Sequence, residues 1–249
     1  MKKLIFIFFL FVAHLGTAQN EELFERANQA YADANYDEAV QMYTDILENG
    51  ETSAALHYNL GNAHYKLNNV APSIYHYEKA LLLAPGDKDV TNNLKFARKM
   101  AIDAIEEPSE EGFYGIFSSV TSVFSPTTWA WIGIISMLMF VVFFLGYYFS
   151  GKVLFKRILF IAGLVFLFLA VSSTVVGLLK QNLLENRSYA IIFAEEVEVK
   201  SEPNVRSSEV FLLHEGAKVK VTEDFQGWTE IELPNGSQGW IRSKELKLL

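Results

Sequence analysis

Two long uncharged stretches constrain this chain more than any other feature. Residues 129–149 are 21 consecutive residues, and residues 158–179 are 22, without one charged side chain. At about 1.5 Å per residue, a helix of either length crosses the roughly 30 Å hydrocarbon core of a bilayer. Because backbone groups in lipid must hydrogen-bond within their own segment, each stretch should be one continuous helix. The sequence therefore predicts a two-helix transmembrane hairpin with a loop at residues 150–157.

The charges beside these stretches predict an orientation. The loop carries Lys152, Lys156 and Arg157 and no acidic residue, whereas four glutamates and no basic residue lie between positions 106 and 111. Basic residues close to a span are retained on the cytoplasmic side. We therefore expect a multi-pass protein of the cytoplasmic (inner) membrane, with a cytoplasmic loop and both flanking regions on the periplasmic side.

The first residues have the pattern of an export signal. Lys2 and Lys3 precede an apolar run that ends at Leu15, and the small residues 16–18 suit a signal peptidase. We expect a signal peptide over residues 1–18, with cleavage after Ala18. The alternative is an uncleaved anchor, which is disfavoured because the run is shorter than the ~20 residues of a span.

The segment between the flanking region and the first span has two parts. Its acidic start is followed by apolar residues at helical spacing, among them Phe113, Phe117 and Phe124. Pro126 disfavours helix in the residue before it, which argues against one continuous helix into the membrane. Residues 106–128 are therefore predicted to be an acidic linker with a short interfacial helix.

A sequence repeat with a constant offset covers most of the region before this linker. Ala27 pairs with Gly61, Tyr31 with Tyr65 and Tyr43 with Tyr77 at that offset. Small residues that recur with aromatic residues indicate stacked helix hairpins, in which the small residues allow close helix contact and the aromatics fill the space between repeats. We expect an all-α repeat domain over residues 19–105, with two repeats and a capping helix.

The second unit, residues 54–87, closely resembles the tetratricopeptide (TPR) repeat, through Asn59-Leu60-Gly61-Asn62-Ala63, Tyr77-Glu78-Lys79-Ala80-Leu81 and a terminal Ala84-Pro85. The first unit resembles it less closely, because it has Leu23 and Arg26 at consensus positions and lacks the terminal proline. The resemblance implies a partner-binding groove on the first helix of each repeat, lined by Phe24, Asn28, Tyr31, Tyr58, Asn62 and Tyr65. The alternative is that the tyrosines only stiffen the stack.

After residue 187 the period changes from helical to alternating, as in Glu196-Val197-Glu198-Val199 and Lys218-Val219-Lys220-Val221. This alternation predicts half-buried strands, about five over residues 187–249, separated by glycine-containing turns. Together with Gly227-Trp228 and Gly239-Trp240-Ile241, these strands resemble the bacterial SH3 family. That resemblance implies an all-β SH3-like barrel, in which Trp228 and Trp240 either pack in the core or form a ligand surface.

Composition and motifs argue against several other functions. Residues 19–112 hold 17 acidic and 7 basic residues, so nucleic acid would be repelled. The chain has no cysteine, and it shows no catalytic, phosphate-loop or zinc-protease motif, so we expect no catalytic residues, no cofactor and no metal site. His57 and His64 lie two helical turns apart, which is too far for one ion, and His57 is expected to pack in the core. His76 and His214 are isolated in the sequence.

The order of the modules, from signal peptide through TPR units and two spans to the SH3 module, resembles BatE-type proteins of bacterial aerotolerance (Bat) operons. The resemblance implies a non-catalytic scaffold that binds other envelope proteins, including von Willebrand factor A domain proteins of the same operons. Order of modules is weak evidence of mechanism. The alternative function is a receptor or sensor that binds cell-wall peptide (peptidoglycan) through the SH3 module.

Overall fold

The structure is a computed structural model that describes residues 20–103, 124–186 and 189–249. These residues form two compact units: the regions before and after the hairpin make one, and the hairpin makes the other. The first unit contains helical repeats and an antiparallel sheet, and the second contains two apolar helices, which confirms the predicted multidomain fold class. The predicted signal peptide and residues 106–123 of the predicted linker with its interfacial helix lie outside the described residues.

The helical domain, residues 20–103, consists of paired helices. They are α1 (residues 20–32), α2 (Tyr36–Glu48), α3 (Ala54–Lys66), α4 (Val70–Leu83) and α5 (Lys88–Arg98). Two side chains fix helix starts by accepting hydrogen bonds from backbone N–H groups that have no partner within the helix. Ser53 accepts from Leu56 at 3.1 Å, and Asp87 accepts from Val90 at 3.1 Å.

The contact between α3 and α4 depends on a residue without a side chain. A Cβ atom added at Gly61 would lie 2.8 Å from Cδ1 of Tyr77, which is itself buried. Ser73 reinforces the contact by donating to the Gly61 carbonyl at 3.1 Å. Ala80 of α4, a small residue of the same repeat, is also fully buried.

The hairpin consists of α6 (Pro126–Phe149) and α7 (Val153–Asn186). Both helices are long and apolar enough to cross a membrane. The α6 helix begins ahead of the uncharged stretch because Pro126 suits the first position of a helix and Ser125 caps the helix by accepting from Thr128 N–H at 3.2 Å. The two helices approach closely at Gly133, where an added Cβ would lie 2.8 Å from the Thr174 hydroxyl oxygen.

The β domain, residues 189–249, is an antiparallel sheet of seven strands in the order β3-β2-β6-β5-β4-β1-β7. The strands are β1 (Tyr189–Ile192), β2 (Glu196–Lys200), β3 (Glu209–His214), β4 (Lys218–Phe225), β5 (Trp228–Glu232), β6 (Gln238–Arg242) and β7 (Leu246–Leu248). The sequence predicted about five strands and the structure has seven, because β1 and β7 are too short to show alternation. The alternating valines, including Val197, Val199 and Val219, form the core as predicted.

An apolar contact joins the helical domain to the β domain within the first unit, and we call it the joint. Ile191 of β1 is fully buried in the same cluster as Val70 and Ile74 of α4. Gly216, which connects β3 and β4 at φ +85°, lies against α4, since an added Cβ would be 2.9 Å from the Ile74 side chain. The Tyr75 and Phe193 rings meet edge to face, with centroids 5.7 Å apart.

Ionic contacts reinforce the joint. Glu78 of α4 is buried and accepts from Arg98 at 2.5 Å and from Lys218 of the β domain at 3.0 Å. Asp103 accepts from the backbone N–H of His214 at 2.6 Å, and its other oxygen lies 3.1 Å from the His214 ring. His214 is isolated in the sequence, and only the fold brings Asp103 to it.

Candidate functional site

The six residues predicted to line a groove lie at equivalent places in the two repeats. Phe24, Asn28 and Tyr31 lie on α1, and their counterparts in the next repeat lie on α3. All six side chains are partly buried, so each keeps some surface in water. Burial raises the pKa of Tyr31, and the nearby hydroxyls of Tyr36 and Tyr58 raise it further. The two rows adjoin where Tyr31 lies near Tyr58, and we call the six residues the groove.

Asn28 is held by a side chain from each of two neighbouring helices. Its Oδ1 accepts from the Tyr43 hydroxyl at 2.7 Å and from Asn59 Nδ2 at 2.9 Å. Burial raises the pKa of Tyr43 to about 12, so the hydroxyl keeps the proton that it donates. Phe24 packs beside this pair, with its ring centroid 5.8 Å from that of Tyr43.

Asn62 repeats the arrangement one unit further along. Its Oδ1 accepts from the Tyr77 hydroxyl at 2.6 Å and from Asn93 Nδ2 at 2.9 Å. Asn93 also donates to the Tyr58 hydroxyl at 3.1 Å. Burial raises the pKa of Tyr77, which keeps this hydroxyl a donor.

These bonds fix which way the two amides can interact with a ligand. The oxygens of Asn28 and Asn62 each accept two internal hydrogen bonds. Within the part of the chain that the structure describes, their NH₂ groups donate to no other protein group. An amide NH₂ group is a donor of two hydrogen bonds. The two amides therefore present donors, which suit the carbonyl oxygens of a peptide.

Sequence reasoning named Asn28 and Asn62 but missed their partners. Asn59 and Asn93 are themselves separated by one repeat, as are Tyr43 and Tyr77. That offset was the sequence signal that could have identified these residues as equivalent partners. The same offset was evident for Tyr43 and Tyr77, but there it predicted only that the two rings pack between repeats.

The two tryptophans of the β domain differ in exposure. Trp228 is only 7% exposed, and the Arg242 guanidinium lies 4.3 Å from the centroid of its ring. Trp240 lies on β6 between β2 and β5 and is partly exposed. Trp240 is thus the more accessible of the two for a ligand.

Three histidines of the helical domain lie in a row that we call the histidine cluster. His57 and His64 of α3 lie on either side of His76 of α4, with ring centroids 5.3 Å and 5.6 Å from that of His76. His76 is isolated in the sequence, but α4 packs against α3 and brings its ring between the other two. His57 is buried, as expected of a core residue.

A cavity of about 380 Å³ lies at the joint. Its lining is mixed, with Tyr75 from α4 and Asp224, Thr229, Ser243, Leu246, Lys247 and Leu248 from the β domain. Thr229 is buried and donates to Asp224 at 2.6 Å. Among the residues that the structure describes, no group of three His, Cys, Asp or Glu side chains is arranged to hold a metal ion.

Comparison with known protein families finds one match in the helical domain and one in the β domain. Residues 54–87 match the tetratricopeptide repeat. Residues 195–247 match the bacterial SH3 domain. Both are interaction modules without catalytic activity of their own. No match to the chain was found among curated proteins.

Proposed function

We propose that this protein is a non-catalytic, membrane-anchored scaffold of the bacterial envelope, in which the groove binds a segment of a partner protein. The observation that carries the proposal is the repeated network around Asn28 and Asn62. It holds two amide NH₂ groups at equivalent points of successive repeats, beside partly exposed aromatic rings. Such a row of donors and apolar area suits an extended peptide or a helix of a partner.

The charge around the groove limits the chemistry of that partner. Residues 19–112 hold ten more acidic than basic residues. An acidic tail would be repelled, whereas a neutral or basic, partly apolar segment would not. Tyrosine and phenylalanine supply contact area at low cost in conformational entropy.

The membrane location is supported by α6 and α7, which are long and apolar enough to span a bilayer. The periplasmic placement of both soluble domains is supported by Lys152 in the turn of the hairpin and by Lys156 and Arg157 at the start of α7. The joint supports placement of both domains on one common side, because domains that pack together must lie on the same side of a membrane.

The order of modules extends the proposal to a Bat complex. In such a complex the groove of this chain would take a segment of a membrane-bound von Willebrand factor A domain protein. The scaffold itself supplies no active site in this proposal, so any chemistry belongs to its partners.

The test is an Asn62→Asp variant of the full chain. Aspartate keeps an oxygen for Tyr77 and Asn93 but replaces the NH₂ donor with a carboxylate oxygen that repels a carbonyl. Losing one hydrogen bond costs about 1 kcal/mol and repulsion adds to it, so we expect partner capture to fall about tenfold. Capture is measured by quantitative affinity purification from membranes in mild detergent.

Asn92→Asp is the matched control, because Asn92 is exposed on α5 and the substitution adds the same charge. The control should capture partners like the wild type. Equal capture by a folded Asn62→Asp variant and the control would show that the groove is not the docking surface.

A second candidate function is binding of cell-wall peptide by the β domain, which the match of residues 195–247 to the bacterial SH3 domain favours. Co-sedimentation of the full protein with purified peptidoglycan tests it. Binding that Trp240→Ala abolishes and Asn62→Asp leaves unchanged would favour this candidate over the scaffold.

A further inference from the structure

The histidine cluster carries an inference that is separate from the groove. The Nδ1 atoms of His57 and His76 lie 3.0 Å apart, and the His64 and His76 rings are parallel, with an angle of 1° between their planes. Three imidazoles thus lie in one row between α3 and α4, and the His57 and His76 rings meet edge to edge through this nitrogen contact. A hydrogen bond between two ring nitrogens requires one to donate and the other to accept, so at least one of the two rings must be neutral.

The other neighbours of the cluster also favour neutral rings. Asn69 presents its Nδ2 donor to Nδ1 of His64 at 3.2 Å, so this nitrogen accepts and cannot carry a proton. The Thr52 hydroxyl lies 3.1 Å from Nε2 of His57 and can donate to it or accept from it. A second proton on His64 would break the bond with Asn69.

The charged groups that act on the cluster are cations. Lys79 of α4 acts on His57 and His76, and Lys247 of β7 acts on His64 and His76. The ring of His76 is also affected by the charges that His57 and His64 would carry. The neighbours from α3, α4 and β7 therefore all oppose a positive charge on the rings.

The cluster adjoins the joint. Tyr75 meets the His76 ring edge to face at 5.2 Å on one side and the Phe193 ring at 5.7 Å on the other. Lys247 in turn lies over the Phe193 ring, 4.4 Å from its centroid. A positive charge on the cluster would push Lys247, and with it the β domain, away from α4.

We propose that the histidine cluster makes the joint between the helical domain and the β domain acid-labile, so that proton uptake by these rings releases the β domain from α4. The device would let the envelope scaffold respond to external acid, and only this physiological role rests on the proposed function. The opening of the joint is a property of the chain itself.

The direction of the pH dependence follows from the lowered pKa values of the three histidine rings. Burial first, and then Lys79 and Lys247, lower the pKa of His57 and of His64 to about 4, and burial lowers that of His76 further. Rings that are exposed to water take up protons near pH 6.5, and release of the β domain, with Lys247, moves the pKa of the cluster towards that value. The closed joint is therefore most stable above about pH 6.5, and it loses stability as the pH falls from there towards about 4.

The test uses a cysteine in the joint of the full chain, which has no cysteine of its own. Ile191→Cys places a thiol at a fully buried position of the joint, and Val205→Cys places one at a position that is 70% exposed. The ratio of their labelling rates at each pH reports opening of the joint and cancels the pH dependence of thiol reactivity. We expect this ratio to rise at least tenfold between pH 7.5 and pH 5.0 in mild detergent.

Two variants, both made in the Ile191→Cys chain, identify the cause. His64→Gln with His76→Gln removes two titrating rings, and Lys247→Gln removes the facing cation from the β domain while leaving every ring in place. In each variant, the labelling ratio should rise severalfold less between pH 7.5 and pH 5.0 than it does without the substitution. His214→Gln is the comparison, since His214 lies at the joint but faces Asp103 and Glu196 instead of cations, and it should leave the rise unchanged.

A labelling ratio that stays constant from pH 7.5 to pH 5.0 would overturn the proposal. An equal rise in the wild type, the histidine variant and the Lys247 variant would also overturn it. Neither outcome bears on capture of partners at neutral pH, so failure of this proposal and failure of the proposed function can be told apart.

Discussion

Glu78 shows how much one charged residue can hold together in this protein. It is only 6% exposed, yet it pairs with Arg98 of the helical domain and with Lys218 of the β domain. Removing one partner of a buried ion pair is costly because the remaining charges lose their counter-ion. Both cations here keep contact with water, which reduces that cost.

We predict that Glu78→Gln lowers the free energy of unfolding by about 1–3 kcal/mol, the usual cost of leaving a buried polar group without its partner. The control is Glu232→Gln, which removes the partner of Lys220 on the surface of the β domain and should cost below about 1 kcal/mol. Urea unfolding of the full chain in detergent measures both. Equal losses in the two variants would show that Glu78 does not hold the joint.

At the scale of elements, the period of the helical repeat extends to the turns between helices. Ala34 and Asn68 end the turns after α1 and α3 with φ of 62° and 61°. In both turns the next backbone N–H bonds back to a carbonyl five residues earlier, Asn35 to Ala30 and Asn69 to His64. Asparagine and glycine tolerate this left-handed conformation, whereas alanine is strained in it.

We predict that Ala34→Gly raises the free energy of unfolding by about 0.5–1 kcal/mol, because a left-handed alanine costs about 1–2 kcal/mol and glycine recovers part of that in this conformation. Ala32→Gly makes the same change two residues earlier, within α1, and should lower stability by about 0.5–1 kcal/mol. Thermal unfolding followed by helical circular dichroism compares the two. Destabilisation by both substitutions would show that Ala34 is not strained in its left-handed conformation.

At the scale of the whole molecule, the first compact unit is assembled from both ends of the chain. The hairpin is inserted between the helical domain and the β domain, and these two pack through Ile191 and Glu78. A segment that leaves such a unit and returns to it must cross a membrane an even number of times. The two apolar helices satisfy that requirement.

We predict that a membrane-impermeant thiol reagent labels Val205→Cys in intact cells whose outer membrane is permeable to the reagent. It should not label Gly151→Cys, at the exposed turn of the hairpin, until the cytoplasmic membrane is opened. An added Cβ at Gly151 meets no atom within 4 Å, so the substitution should leave the fold intact. Labelling of Gly151→Cys alone in intact cells would reverse the proposed topology.

The sequence by itself determined the features that depend on local patterns. The uncharged stretches predicted α6 and α7, the constant offset between repeats predicted the paired helices, and the alternating valines predicted the core of the β domain. Each pattern reflects a regular backbone geometry with one environment on each face, so it can be recognised without knowing any long-range contact.

Only the tertiary structure decided which distant residues meet. It brought Lys218 to Glu78, His214 to Asp103 and His76 between His57 and His64. It also left the groove asparagines with donors for a ligand, because Tyr43 and Tyr77 occupy their oxygens. The physical reason is that these contacts join residues from separate elements, and no periodicity within one element records which side chain of another will lie against it.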